Sequence, residues 1–412
     1  MQTPITREIA RLTEGNPLQI LSALRRFVFR IVREGRGNEL SFNALREIRY
    51  AMAGPCDNGQ SILLTRENLD EMNRHLAPQL AAMGYQLLRE FSSNEETKCI
   101  VLEHGLISKT AGALRFYDMK RNLIRSIEVD GFLSNFVPLA GRVYFVVDGT
   151  LYSVTAESDV RKENLQFSAK ESTVLDQGIE EDNDGNLVVA EYKHDKSSES
   201  GALLYVLRSG DAHWTTIDTL ARRVDKHCHI VFFDPASRIF YVTCGDSRKM
   251  LATLDLKGQE ATIEIVSDGA GKTGGYLCAV PWEGGFLCGT DYTGGTNFLV
   301  LIRGSRIVRK EALRKPFRRN VVTSMVAARS QLLFAAWNMG HLPGCCNGLL
   351  LRSPTGVRSL CHSEDLQVTF ELFPSTDGLV VRGEAHGRKF FGIYHKPDRP
   401  FAADTPDTIR HA

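Results

Sequence analysis

The sequence predicts an all-β fold, a seven-bladed β-propeller preceded by a small α-helical N-terminal region. An apolar strand that ends in an acidic or amide residue recurs seven times, at intervals of 43 to 55 residues, the period of a four-stranded propeller blade. These strand ends are Glu103, Asp148, Glu191, Asp246, Asp291, Asn338 and Glu384. In the best-defined repeats an inner strand, a tight turn, a second strand and a longer loop follow in the same order. The longer loops therefore belong to one face of the propeller, where binding sites usually lie.

Residues 1–84 differ from the rest of the chain because their apolar residues recur at helical spacing. A first amphipathic helix begins at Pro17 and ends at Gly35, and two further helices are predicted over 42–53 and 66–76. A single amphipathic helix of this kind favours packing against the propeller or a second subunit over binding to a membrane surface.

The predicted domain organisation has three parts: the helical region, the propeller over 85–396 and a C-terminal tail over 397–412. The last repeat shows three strands and lacks an outer one. Since a propeller must close its ring, a segment from elsewhere is expected to complete this blade. Residues 62–64 are the candidate, and the C-terminal tail is the alternative.

Bulk composition limits the classes of partner. The chain has 412 residues, 43% of them hydrophobic, and a formal net charge of +1, so it has no general attraction for nucleic acid. Its nine cysteines show no C-x-x-C spacing, which is typical of reduced thiols in a cytoplasmic protein. No apolar run reaches the length of a transmembrane helix. We therefore expect a cytoplasmic protein with a small-molecule or glycan ligand.

Two neighbouring repeats resemble a known superfamily. The segments 226–235 and 239–246, followed one blade later by 289–291, resemble the sialidase-like propellers with BNR repeats. The resemblance implies the propeller fold and a carbohydrate ligand. Residues 209–214 look like a shortened form of the Asp-box of that superfamily, and the F/Y-R-I-P motif of true sialidases is not present in the sequence. The resemblance therefore does not imply sialidase activity.

Candidate catalytic residues come from the start of one inner strand and the ends of second strands. His227 and His229 stand two residues apart, so both imidazoles project to the same side and could hold one divalent metal with a carboxylate. His229 is the candidate general base, with Glu191, Asp246 and Asp291 as candidate catalytic carboxylates. The alternative is structural: strand-end carboxylates often bond to their own turns, and a histidine can simply fill the channel mouth.

Four further residues are candidate substrate ligands: Tyr192, Arg319, Asn320 and Asn338. Arg319 directly precedes an inner strand, where a guanidinium could bind a carboxylate or phosphate through two parallel hydrogen bonds. The favoured prediction is a carbohydrate-processing propeller, a glycoside hydrolase or a lyase, acting on an acidic or decorated glycan at the central-channel face. The alternative prediction is a non-catalytic propeller that binds a glycan or a protein.

Overall fold

The computed structural model describes residues 55–56, 61–193, 201, 203–221, 227–245, 249–258, 260–269, 275–292 and 295–397. Within these residues 29 strands form seven sheets, which confirms the predicted seven-bladed β-propeller. The helices predicted over 17–35 and 42–53 lie outside the described residues, as do residues 398–412 of the tail.

Each blade is an antiparallel sheet whose strands are numbered from the channel outward. Blade 1 comprises β3 (Lys98–Leu102), β4 (Gly105–Lys109), β5 (Ala113–Tyr117) and β6 (Leu123–Glu128). Blade 2 comprises β7 (Leu133–Leu139), β8 (Arg142–Val147), β9 (Thr150–Val154) and β10 (Arg161–Gln166). Blade 3 comprises β11 (Ile179–Glu181), β12 (Leu187–Ala190), β13 (Leu204–Leu207) and β14 (Thr215–Ile217). Blade 4 comprises β15 (Cys228–Asp234), β16 (Ile239–Cys244), β17 (Lys249–Asp255) and β18 (Thr262–Gly269). Blade 5 comprises β19 (Tyr276–Trp282), β20 (Gly285–Thr290), β21 (Phe298–Arg303) and β22 (Arg306–Ala312). Blade 6 comprises β23 (Val321–Ala328), β24 (Gln331–Trp337), β25 (Asn347–Ser353) and β26 (Gly356–Ser363). The first three strands of blade 7 are β27 (Val368–Pro374), β28 (Gly378–Ala385) and β29 (Arg388–His395).

The face at which the innermost strands begin and the second strands end is called the upper face here, and the opposite face is the lower face. Four predicted strand ends, Asp148, Glu191, Asp291 and Asn338, directly follow second strands, and Glu384 lies near the end of the second strand β28, so these five belong to the upper face. Asp246 lies outside the described residues. The exception is Glu103, which follows β3, the innermost strand of blade 1, and so lies at the lower face. The predicted strand end of blade 1 falls one strand too early, because β3 and β4 are both short apolar strands separated by only two residues.

Four innermost strands share a bulge near their upper ends. The ladder between the first and second strands skips one residue in blades 2, 4, 5 and 6. The skipped residues are Ser134, His229, Leu277 and Thr323. A bulge bends the strand and redirects the side chain of the extra residue. The upper rim of the channel is thus irregular in the same place in four blades.

The hydrophobic core is a ring of layers, each packed between neighbouring blades. Between blades 4 and 5, for example, the ring of Phe232 lies 5.2 Å from that of Tyr241 and 4.6 Å from that of Phe286. Alternation along each strand sends successive side chains to opposite faces of its sheet, so a blade contributes to the layers on both sides. The whole ring therefore depends on every blade keeping its neighbours.

The ring closes through a segment that precedes blade 1. The outer strand of blade 7 is β2 (Gln86–Ser93), antiparallel to β29, and it lies just beyond the region 1–84 from which the closing strand was predicted to come. Residues 62–64, the predicted candidate, instead flank blade 6, where β1 (Ile62–Leu63) pairs in parallel with β26. The Leu64 N–H extends this pairing by donating to the His362 carbonyl over 2.8 Å.

A short helix connects β1 to β2 and wedges between blades 6 and 7. The chain forms a 3-10 turn at Leu69–Glu71 and then α1 (Met72–Ala82), so the helix begins later than predicted and contains Pro78 instead of ending before it. Thr65 does not cap it, because the Thr65 hydroxyl accepts a hydrogen bond from Glu67 N over 3.2 Å within a turn. Within the described residues no helix has the length and apolar composition needed to cross a bilayer.

Asn73 fixes α1 against blade 7. The Tyr394 hydroxyl donates to Asn73 Oδ1 over 3.0 Å, and both residues are buried. Gly392 lies beneath this contact, where a Cβ atom would approach Asn73 Oδ1 to 2.1 Å. Only glycine allows the helix to sit this close to β29.

Candidate functional site

The two candidate histidines lie together with Tyr192 on the upper face, between blades 3 and 4. The His227 ring stacks on the Tyr192 ring at 4.0 Å, and the His227 and His229 rings are 5.1 Å apart. His227 Nδ1 lies 2.8 Å from the Lys193 carbonyl, and the exposed fractions of the two histidines are 2% and 1%. The His229 ring also lies near Tyr192, with ring centroids 6.0 Å apart. Both histidines thus contact Tyr192, which follows the second strand of blade 3.

Glu191 is buried beside this stack with four hydrogen-bond donors around its carboxylate. The Ser168 N–H (3.0 Å), the Ser168 hydroxyl (2.6 Å) and the Ser172 hydroxyl (2.6 Å) donate to Oε1, and the Tyr205 hydroxyl donates to Oε2 over 2.9 Å. Burial, reinforced by the Glu191 charge, raises the pKa of Tyr205. A carboxylate held by four donors orders the loop before β11 and has little hydrogen-bonding capacity left for a substrate.

Asp291 lies apart from the histidine stack. It follows β20 in blade 5, and its Oδ2 is 3.4 Å from the Nζ of Lys249, with both side chains largely buried. This ion pair connects blades 4 and 5. Asp246, the third candidate carboxylate, lies outside the described residues.

The candidate substrate ligands of blades 5 and 6 are buried among backbone groups. Asn320 donates to the carbonyls of Ala336 (3.2 Å) and Cys346 (2.5 Å), and it is fully buried. Arg319 precedes β23 as predicted and is 4% exposed. The structure therefore separates these two residues from open solvent on the upper face.

Asn338 organises the loop that follows β24. Its side-chain amide donates to the carbonyls of Leu342 (3.0 Å) and Cys345 (3.2 Å), and its Oδ1 accepts from Leu342 N over 2.9 Å. Like Asn320, it uses its hydrogen-bonding capacity on backbone groups of its own blade.

The possible divalent metal has no complete ligand set among the described residues. No group of three or more His, Cys, Asp or Glu side chains lies close enough there to hold a metal ion. His227 and His229 would supply two ligands, and a metal site in a protein ordinarily takes at least three protein ligands.

A set of charged residues that sequence reasoning did not single out crosses the upper part of the channel. We call it the ionic cluster, and its members are Lys98, Lys109, Asp176, Glu371 and Arg382. Lys98 Nζ lies 2.7 Å from Asp176 Oδ1 and also donates to the Phe136 carbonyl over 2.6 Å. Arg382 Nη2 lies 2.8 Å from Glu371 Oε2, its cross-strand partner. The cluster thus joins blades 7, 1, 2 and 3.

The electrostatics of the ionic cluster are uneven. Burial pushes the pKa of Asp176 upward, but the Lys98 ammonium and the hydrogen bonds from Lys98 and Asn135 outweigh it and hold that pKa below its ordinary value. Burial raises the pKa of Glu371, and the Arg382 guanidinium only partly offsets this. Burial and the nearby Lys98 charge lower the pKa of Lys109 to about 8.

The ionic cluster still meets solvent. The side chain of Asp176 is 51% exposed and that of Glu371 is 36% exposed, although protein surrounds both on several sides, as expected for groups that line a channel. Beside it on the same face, Phe132 is 61% exposed just before β7. The upper face of blades 7 to 3 therefore presents accessible charge next to an exposed aromatic ring.

Comparisons with known proteins support the fold and nothing finer. No protein-family model and no curated protein matches the chain. The structure is similar to the β-propeller domain of Cps50 (Swd1) from Myceliophteria thermophila, at 10% identity and a TM-score of 0.50, covering 74% of this chain and 99% of that chain. It is also similar to the CNH domain of AfRom2 (13% identity, TM-score 0.47, 75% of this chain and 98% of that chain) and to U3-55K (10% identity, TM-score 0.47, 76% and 99%). No finding supports the sialidase, BNR-repeat or glycan assignments. The chain is a seven-bladed β-propeller.

Proposed function

We propose that this protein is a non-catalytic propeller scaffold that binds a partner protein on its upper face. One observation carries the proposal: two of the three candidate carboxylates, Glu191 and Asp291, are engaged in structural contacts, whereas Asp176 and Glu371 of the ionic cluster remain accessible. Glu191 accepts four hydrogen bonds and Asp291 pairs with Lys249. An acid and base pair for glycosidic cleavage needs carboxylates that can exchange protons with a substrate.

The accessible charges suit recognition of a protein surface. Charged groups of both signs around a channel mouth set the orientation and the selectivity of a partner more than its affinity. An exposed aromatic ring beside them supplies the apolar contact area that binding hot spots use. This is the alternative function that the sequence left open, and the contacts of the described residues favour it over glycan processing.

The test compares two carboxylate variants of matched exposure on opposite faces. Asp176→Asn removes a charge from the ionic cluster, and Asp184→Asn removes one from the lower face, where Asp184 is 57% exposed and pairs with Arg238. We expect proteins recovered in stoichiometric amount with the tagged parent from its native cells to be lost with Asp176→Asn and kept with Asp184→Asn.

A parallel assay addresses catalysis. The purified parent is incubated with a panel of acidic glycans, and release of new sugar ends is followed over time. We expect no turnover. Turnover that disappears with Glu191→Gln in a folded variant would establish the enzyme and overturn the proposal.

A further inference from the structure

Phe132 and Lys109 lie close together on the upper face although they belong to different blades. The ammonium of Lys109, at the upper end of β4, donates to the carbonyl of Ser134 over 2.5 Å. Ser134 is two residues beyond Phe132 on the strand β7 that starts blade 2. Two residues of extended chain span roughly 6 to 7 Å. The Phe132 backbone and the ammonium of Lys109 therefore lie within about the span of two residues of an extended peptide, although the bulge at Ser134 bends the chain between them.

The backbone around Phe132 is held in place, so its exposure is a fixed feature of the surface. The Phe132 N–H donates to Asp148 Oδ1 over 3.1 Å, and the Asp148 N–H donates back to the Phe132 carbonyl over 3.2 Å. Gly131 adopts φ of +134°, and a Cβ atom there would lie 2.7 Å from Asp148 Oδ2. A backbone that is already ordered loses little conformational entropy on binding, which favours the use of Phe132 as an anchor.

Lys109 keeps capacity for an anionic group. An ammonium has three donors, and the Ser134 carbonyl is its one acceptor among the described residues. Burial and the charges of two further cations, Lys98 and Arg382, lower the pKa of Lys109 to about 8, and the Asp176 carboxylate offsets this only in part. Their own carboxylate partners, Asp176 and Glu371, are already paired to them. The local field at Lys109 therefore favours the approach of a carboxylate.

We infer that Phe132 and Lys109 form a docking site for an extended segment of a partner protein, with an aliphatic or aromatic side chain against Phe132 and an aspartate or glutamate two residues away against Lys109. The inference rests on the proposed function, because it names the chemistry of the partner that the upper face binds. Charge complementarity selects the acidic residue, and the spacing of β-structure sets its distance from the apolar one.

The test uses a random twelve-residue peptide library displayed on phage and panned against the parent protein. We expect enriched peptides to carry an acidic residue two positions from a large apolar one. Synthetic copies of these peptides should lose at least tenfold in affinity for Phe132→Ala and for Lys109→Met, and Lys109→Arg should restore most of the second loss.

Two matched controls lie near the lower face. Ile124→Ala removes an apolar side chain that is 60% exposed at the start of β6, and Lys257→Met removes a lysine whose side chain is 53% exposed in the turn after β17. Both should bind the peptides like the parent.

Enriched peptides that bind Phe132→Ala and Lys109→Met as tightly as they bind the parent would overturn the inference, and so would a library that yields no enriched peptide. A partner that requires Asp176 but tolerates both substitutions would overturn it as well and leave the proposed function standing. A partner that is retained by Asp176→Asn, Phe132→Ala and Lys109→Met alike would overturn both the inference and the proposed function.

Discussion

The fold disfavours the ionised form of the Glu180 side chain. It lies on β11, the innermost strand of blade 3, and burial raises its pKa to about 7. The Glu181 N–H opposes this shift by donating to Glu180 Oε1 over 3.2 Å, while the Glu181 charge adds to it. Because the folded pKa lies above the ordinary value of 4.5, the folded protein keeps a proton that the unfolded chain releases. Stability due to this group is therefore present at low pH and falls as pH rises from about 4.5 to about 7.

Glu180→Gln should remove this loss. We expect the variant to have a free energy of unfolding higher than that of the parent by about 1–2 kcal/mol at pH 8, a discounted value because the side chain keeps some contact with solvent, and a smaller difference at pH 5. Urea denaturation at the two pH values measures this. Glu128→Gln, at an exposed carboxyl on β6, serves as the control and should shift neither curve. A Glu180→Gln difference that is the same at both pH values would contradict the assignment.

The closing strand shows how one element depends on aromatic contacts. Phe91 on β2 stacks on Phe391 of β29 with ring centroids 4.7 Å apart. The guanidinium of Arg121, which belongs to blade 1, lies 3.5 Å from the Phe91 ring centroid. One side chain thus contacts the first and the last blade. Its burial also supports the pairing that completes blade 7.

Phe91→Ala should lower the free energy of unfolding by about 2 kcal/mol or more, since it removes a stacked ring and a cation–π contact at the point of closure. Chemical denaturation followed by circular dichroism gives the value. The control is Leu88→Ala on the same strand, where the side chain is 40% exposed. If both variants lose the same stability, β2 is held by its backbone pairing and not by Phe91.

The sequence predicted the elements well where the pattern was local. The spacing of strand ends was enough for seven blades. The closing strand was misassigned, because 62–64 and 86–93 are both short extended runs and nothing in a short run specifies its distant partner. Tertiary contacts with blade 7 also hold α1 in helical form through Pro78, which local propensity reads as a stop.

The candidate site was harder to predict than the fold because its parts come from distant positions. Lys98 and Asp176 are 78 residues apart in sequence, and each alone resembles an ordinary surface charge. The histidine pair could be found, since its two members are only two residues apart in the sequence, at the start of one strand. The burial of the pair could not, because it depends on how blade 3 packs against blade 4.

The intact ring should depend on the segment that precedes blade 1. Removing residues 1–97 deletes β1, α1 and β2, leaving β26 and β29 with open edges and exposing the core between blades 6 and 7. We expect this deletion to lower the thermal midpoint by 10 °C or more, about what a loss of several kcal/mol produces in a domain of this size, or to yield aggregated protein. Differential scanning calorimetry measures the midpoint. The control deletion, of residues 398–412, should melt like the parent; two deletions with equal midpoints would show that the ring closes without β2.

The pairing of β2 with β29 sets an order of events on the ribosome. Gln86 cannot pair until His395 has been synthesised about 300 residues later. At ordinary rates of synthesis, the ribosome needs roughly 15 to 60 s to add these residues. During that time the strand that will seal the ring has no partner and keeps an open edge, while blades 1 to 6 emerge behind it. A molecular chaperone that binds extended segments would find its target here, in a strand that leaves the ribosome tunnel before any blade is complete and is the last to pair.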